Sequence, residues 1–113
     1  MSLLNELTIL LKSLGINAWV GGFPEVPPVL YAVLVPILDE YPLEGDGVPL
    51  DEVQHVRISI YSKGKYQESK NKVSAAVIAA DMCITGRHYA GFEDATGYHN
   101  YAIDVAKSYF MED

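Results

Sequence analysis

An unbroken apolar run constrains this chain more than any other feature of its sequence. Residues 29–35 read Val-Leu-Tyr-Ala-Val-Leu-Val, lie between prolines and are rich in β-branched side chains. The run is too short to span a bilayer, which takes about 20 residues. Strands that are covered on both faces have continuous apolar runs, because neither side needs a polar residue. The run therefore predicts a central strand of a sheet, buried on both faces.

Two helices are predicted, one before this run in the sequence and one after it. Leucines recur at helical spacing near the N-terminus and form one apolar stripe: Leu3, Leu7, Leu10 and Leu14, with Leu4 and Leu11 beside them. Ser2 is placed to cap this helix, and Gly15 to end it in the left-handed conformation. A second helix begins at Tyr66, with one face formed by Tyr66, Ser69, Val73, Ala76, Val77 and Ala80.

Three further strand regions follow from alternation and turn residues. Residues 16–20 form a short strand, and residues 56–61 alternate between apolar and polar side chains, as a half-exposed strand does. The last third predicts a hairpin around the turn at residues 94–97, with Gly97 in a left-handed position. The expected register places Tyr89 opposite Ile103 and Gly91 opposite Tyr101.

Residues 39–51 have a different composition from the rest of the chain. They contain five acidic residues, two glycines and two prolines, which predicts a solvated connection or a protruding arm between the second and third strands. The expected fold of residues 1–113 is a single α+β domain. It has two layers, with a mostly antiparallel sheet, two helices on one face and this long arm.

Composition excludes several classes of function. The formal net charge is −7, whereas a nucleic-acid partner requires a basic face. The one basic cluster consists of Lys63, Lys65, Lys70 and Lys72, interrupted by Glu68. A single cysteine, Cys83, allows no internal disulfide, and no apolar run is long enough for a membrane span. We expect neither nucleic-acid contact nor membrane contact.

The sequence offers weak candidates for site chemistry. The histidines are His55, His88 and His99, and no two have the helical spacing of metal ligands. Zinc at Cys83, His88 and His99 lacks a fourth ligand, and Cys83 is more simply a small buried side chain at the end of the second helix. No nucleophile motif surrounds Cys83 or Ser62. We expect no metal, no cofactor and no enzymatic activity.

Three stretches, which together span nearly the whole chain, resemble one known family. They are the N-terminal helix leading through a strand to residues 27–32, the strand–Tyr-Ser-Lys-Gly–helix passage from residue 56, and the hairpin at residues 93–103 with its Thr-Gly-Tyr-His turn. In this order they are similar to the small tail terminator, or tail-completion, proteins of long-tailed bacteriophages and prophages.

The resemblance implies a structural protein without catalytic residues. Members of that family form a ring, commonly of six subunits, that caps the tail tube and meets the head connector. The implied partners are further copies of the chain, the tail tube protein and connector proteins, and the implied location is the virion or the cytoplasm of the bacterial host.

From the composition of the acidic arm we expect neighbouring subunits to meet there, at Leu43, Glu44, Asp46, Val48 and Leu50. Two other functions remain open. One is a neck or head-completion protein, which shares size and ring assembly. The other is a small ligand-binding or regulatory domain of ferredoxin-like shape, which requires a concave apolar pocket.

Overall fold

The chain folds as an α+β domain with one five-stranded sheet. The computed structural model describes residues 2–41 and 51–110. The elements in chain order are α1 (Leu3–Ser13), β1 (Ala18–Val20), β2 (Leu30–Glu40), β3 (Asp51–Ser62), α2 (Tyr66–Ala79), β4 (Cys83–Glu93) and β5 (Tyr98–Phe110). The strand order is β1-β2-β3-β5-β4. Only β1 and β2 are parallel, so the expected mostly antiparallel sheet is confirmed. The element order differs from the βαββαβ order of ferredoxin-like domains.

Both helices pack on the same face of the sheet, as the apolar stripes predicted. The buried helix residues are Leu3, Leu7 and Leu11 of α1 with Val73 and Val77 of α2. Every second residue of the central strands meets them: Ala32, Leu34, Val56, Ile58, Ile60, Tyr101, Ile103 and Val105. This alternation assigns the residues between them to the opposite side of the sheet, which we call the helix-free face.

Both helices end in the same way, in a Schellman motif. Gly15 has a φ of 80°, and the amide of Ile16 donates to the carbonyl of Leu11 at 2.9 Å. After α2, Asp81 takes the left-handed position with a φ of 61°. In each motif the residue after the left-handed position is buried, so each turn directs the chain back to the core.

The apolar run forms the first half of β2, but only part of it is buried as predicted: Val29 precedes the strand and is exposed, Val35 is 40% exposed, and the middle strand of the sheet is β3. An aromatic cluster covers the second face of the buried part. Tyr31 to Leu34 are all buried. On the helix-free face Tyr31 stacks on Tyr61 with ring centroids 5.0 Å apart, and Tyr98 packs edge-on against Tyr31 at 5.4 Å. The Tyr98 hydroxyl donates to the carbonyl of Pro28 at 2.5 Å, so the proline-rich segment is joined to this cluster.

The register predicted for the last hairpin is wrong. Tyr89 lies opposite Tyr101 rather than Ile103, and Gly91 lies opposite Asn100 rather than Tyr101. In both pairings Tyr89 lies on the side of the sheet that carries the helices, where its ring contacts that of Tyr66 in α2. A slip of two residues leaves that face unchanged, so the pattern alone does not distinguish the two pairings.

Two irregularities within β4 produce this difference. The register shifts between Ile84 and Gly86 and again between Tyr89 and Gly91, each time leaving one residue of β4 without a partner. The turn at residues 94–97 does have Gly97 in the left-handed region, with a φ of 81°, as expected.

Cys83 is also placed differently from the prediction. It is exposed and begins β4 instead of being buried at the end of α2. The left-handed turn at Asp81 directs the next side chain, Met82, into the core. Met82 therefore occupies the buried position, and strand alternation turns Cys83 outward.

We expect Leu7→Ala to destabilise the domain by about 2 to 5 kcal/mol, because it leaves a cavity beneath α1. Leu7 is fully buried, whereas Ile9 on the same helix is 64% exposed. Ile9→Ala is therefore the matched control and should change the free energy of unfolding by about 0.5 kcal/mol or less. Urea denaturation followed by circular dichroism measures both. Equal effects of the two changes would contradict the assigned helix face.

Candidate subunit interface

The predicted interface residues Leu43, Glu44, Asp46, Val48 and Leu50 lie outside the described residues. The strands on either side of that segment are described, and their pairing continues as far as Glu40 and Val53. We call this end of the sheet, where β5 also ends, the distal end. The proximal end is where β2 begins and β3 ends, at the pair Leu30 and Ser62.

The three central strands are long, and this elongates the molecule. β2, β3 and β5 contain 11, 12 and 13 residues, against about 5 or 6 in an average strand. The principal extents are 53 × 26 × 23 Å, and the radius of gyration is 15.3 Å. A compact chain of this length has a radius of gyration of about 13 Å. The sheet thus separates two distant ends.

The helix-free face exposes large apolar side chains at its distal end. Val35, Leu38 and Phe110 are 40%, 48% and 72% exposed. They share this face because Val35 pairs with Arg57, Leu38 with His55 and Phe110 with Asp51, on alternate residues of β3. Val35 and Leu38 are neighbours along β2, whereas the Glu40 and His55 side chains, which contact each other at 2.5 Å, lie between Leu38 and Phe110. Exposed apolar groups of this kind are typical of surfaces that bind a partner.

An ion pair occupies the centre of the same face. The Arg57 guanidinium donates to both carboxylate oxygens of Asp104, at 2.7 and 3.0 Å, across directly paired positions of β3 and β5. These hydrogen bonds hold the pKa of Asp104 below its ordinary value although burial opposes the shift, and they raise the pKa of Arg57. Small side chains flank the pair (Ser59, Ala102 and Ala106), so this part of the face is flat.

On the other side of the sheet, the end of β5 is bound to α1. Lys107 Nζ lies 2.9 Å from Glu6 Oε1, and the Tyr109 hydroxyl donates to the other oxygen of Glu6. Burial raises the pKa of Glu6, but these two donors outweigh it and the pKa is lowered overall. Burial and the Glu6 carboxylate raise the pKa of Tyr109. These contacts join α1 to the distal half of β5.

A groove of about 620 Å³ lies at the proximal end. Its floor is apolar, from Ile16, Val29 and Leu30, and its lining includes Lys63, Lys65 and Lys72 with Glu68. Lys63 Nζ lies 5.0 Å from the centre of the Tyr98 ring, and Lys72 donates to the carbonyl of Leu14 at 3.0 Å. Lys65 immediately precedes α2, whose first turn also borders the groove.

The histidines and the cysteine do not converge. Cys83 and His88 pair with Ala106 and Ala102 and lie on the helix-free face. His99 is on the other side, where its Nδ1 lies 2.8 Å from the Tyr89 hydroxyl. Among residues 2–41 and 51–110, no three His, Cys, Asp or Glu side chains are grouped as metal ligands. Within the same residues, neither helix has the length and apolar character required to cross a membrane.

Two features of this surface were not predicted from the sequence. The cluster of four lysines was visible in the sequence, but nothing local indicated that three of them, Lys63, Lys65 and Lys72, lie beside an apolar floor made by residues 16, 29 and 30. The apolar helix-free end was also not predicted, because it combines side chains from three strands. Comparison with protein-family models and with curated proteins finds no match to this chain.

Asp104→Asn should cost about 1 kcal/mol of stability at pH 7, because it removes a half-buried charged pair. The pKa of Asp104 is lowered in the folded state. Its contribution is therefore complete above the pKa of an unfolded aspartate and is lost as pH falls through the lower, folded value. The difference between the variant and the original chain should shrink between pH 7 and pH 3, as measured by urea denaturation.

The matched control is Asp81→Asn, since asparagine tolerates the left-handed conformation of that exposed position. It should show a smaller penalty than Asp104→Asn at pH 7. A penalty for Asp104→Asn that is the same at both pH values would contradict the assigned role of the ion pair.

Proposed function

We propose that this chain is a structural protein of a bacteriophage or prophage tail, which forms a ring on the tail tube and joins it to the head connector. The observation that carries the proposal is the exposed apolar end of the helix-free face, at Val35, Leu38 and Phe110. The resemblance of residues 27–32, 56–64 and 93–103 to tail terminator proteins supplies the biological setting.

In a monomer this face leaves three large apolar side chains partly exposed to water. Full burial of such a side chain contributes about 1.5 to 3 kcal/mol, and a partner that covered the remaining exposed area would gain roughly half of that for each one. Arg57 and Asp104 at the centre of the face are already paired with each other, so a second protein surface can lie over the centre without leaving either charge unpaired. Assembly with further copies uses both properties.

A neck or head-completion protein is the second candidate, and the same surface supports it. Both roles require a ring of identical chains, so the difference lies in the partner. Binding of the purified ring to isolated tail tubes supports the terminator role, whereas binding to filled heads supports the neck role.

We expect the purified chain to form a ring whose population rises with concentration. Size-exclusion chromatography with light scattering at several concentrations measures this, and a hexamer has six times the chain mass of 12.5 kDa. A strict monomer at every concentration would contradict the proposal. In phage particles that lack the protein, electron microscopy should show tails of uncontrolled length.

Leu38→Asp should weaken assembly about 10- to 100-fold, because burial of one such side chain contributes about 1.5 to 3 kcal/mol. The matched control is Ile78→Asp, which replaces an exposed apolar residue of α2 on the opposite side of the molecule. The measurement is the midpoint concentration of assembly in the same light-scattering experiment. Equal weakening by both changes would remove the special role of the helix-free face.

A further inference from the structure

We propose that the acidic segment at residues 39–52 of one copy binds the proximal groove of the next copy. The inference rests on the proposed ring and names the two surfaces that meet in it. The groove is the one lined by Val29, Leu30, Lys63, Lys65 and Lys72. Its occupant is a second copy of this chain.

The groove suits a chain that carries both acidic and apolar side chains. Three lysines border it against one acid, Glu68, and its floor exposes apolar area, since Val29 is 69% exposed. Within the described residues, no side chain caps the start of α2 at Lys65, although Ser2 caps the start of α1. The positive end of the α2 dipole therefore adds to the attraction for a carboxylate.

The acidic segment has the complementary composition. Residues 39–52 contain six acids and no lysine or arginine. The same stretch contains the apolar residues Leu43, Val48 and Leu50, which suit the apolar floor of the groove. Opposite charge fixes the partner and the register, while the apolar contacts contribute the larger part of the affinity.

The segment of one chain does not reach the groove of that same chain. Leu30 borders the groove, and Glu40, near the start of the segment, ends β2; ten residues of strand at about 3.3 Å each separate them by about 33 Å. The described residues Glu40 and Asp51, on either side of residues 41–50, both lie in paired strands. At about 3.5 Å per residue, a stretch of this length cannot extend more than about 19 Å from those two residues. The contact is therefore between two copies.

An interface of this kind is head-to-tail, because it joins two different surfaces at opposite ends of the molecule. Each copy donates its segment to one neighbour and accepts a segment from the other. Head-to-tail contacts close into rings when the rotation between copies allows it. This accounts for a ring more directly than a symmetric pair of identical surfaces.

Three variants test the contact. The groove variant combines Val29→Glu with Lys65→Glu, both at exposed positions of the rim and floor. The segment variant combines Glu44→Lys with Asp46→Lys. The control variant, Ile9→Glu with Lys12→Glu, makes the same chemical changes at exposed positions of α1 outside the groove.

We expect the groove variant and the segment variant each to be monomeric at concentrations where the original chain and the control variant form rings. Mixed together, they should assemble again, because the intact segment of the groove variant meets the intact groove of the segment variant, and the two altered surfaces also carry opposite charges. Light scattering with circular dichroism, to confirm folding, measures this. Rings formed by either variant alone, or no assembly in the mixture, would overturn the inference while leaving the ring itself intact. A monomeric original chain would overturn both.

Discussion

Burial of one face of the sheet beneath both helices is the interaction on which the rest of the structure depends. The alternating residues of β3 and β5, such as Ile58 and Ile103, are fully buried against leucines of α1 and valines of α2. Burial of apolar area at about 25 cal/mol per Å² is the main term favouring this arrangement. The two Schellman turns add to it, because each returns the chain to this core directly after its helix.

Because both helices lie on one side of the sheet, the other side must be covered by other residues or remain exposed. The proximal half is covered by the cluster of Tyr31, Tyr61 and Tyr98 and by the proline-rich segment that binds it. The distal half has paired charges and small residues at its centre and exposed apolar side chains at its end. The difference between the two halves is what makes this face a candidate for assembly.

The two ends of the molecule also carry side chains of opposite charge. Lysines border an apolar groove at the proximal end, while acids flank the strands at the distal end. In a compact domain these groups would lie near one another, but the long strands hold them about 33 Å apart. A chain with complementary ends that do not meet each other is suited to binding copies of itself in sequence.

Local periodicity and backbone preference were enough to predict both helices, the middle of the strands, the capping roles of Ser2 and Gly15 and most of the core residues. They did not predict that β2 continues to Glu40 and β3 begins at Asp51. The pairing of Tyr89 with Tyr101, the outward position of Cys83 and the meeting of Val29 with Lys65 in one groove became visible in the folded structure. These depend on bulges, on a left-handed turn and on contacts between segments far apart in the chain, and a pattern of alternation does not specify any of them.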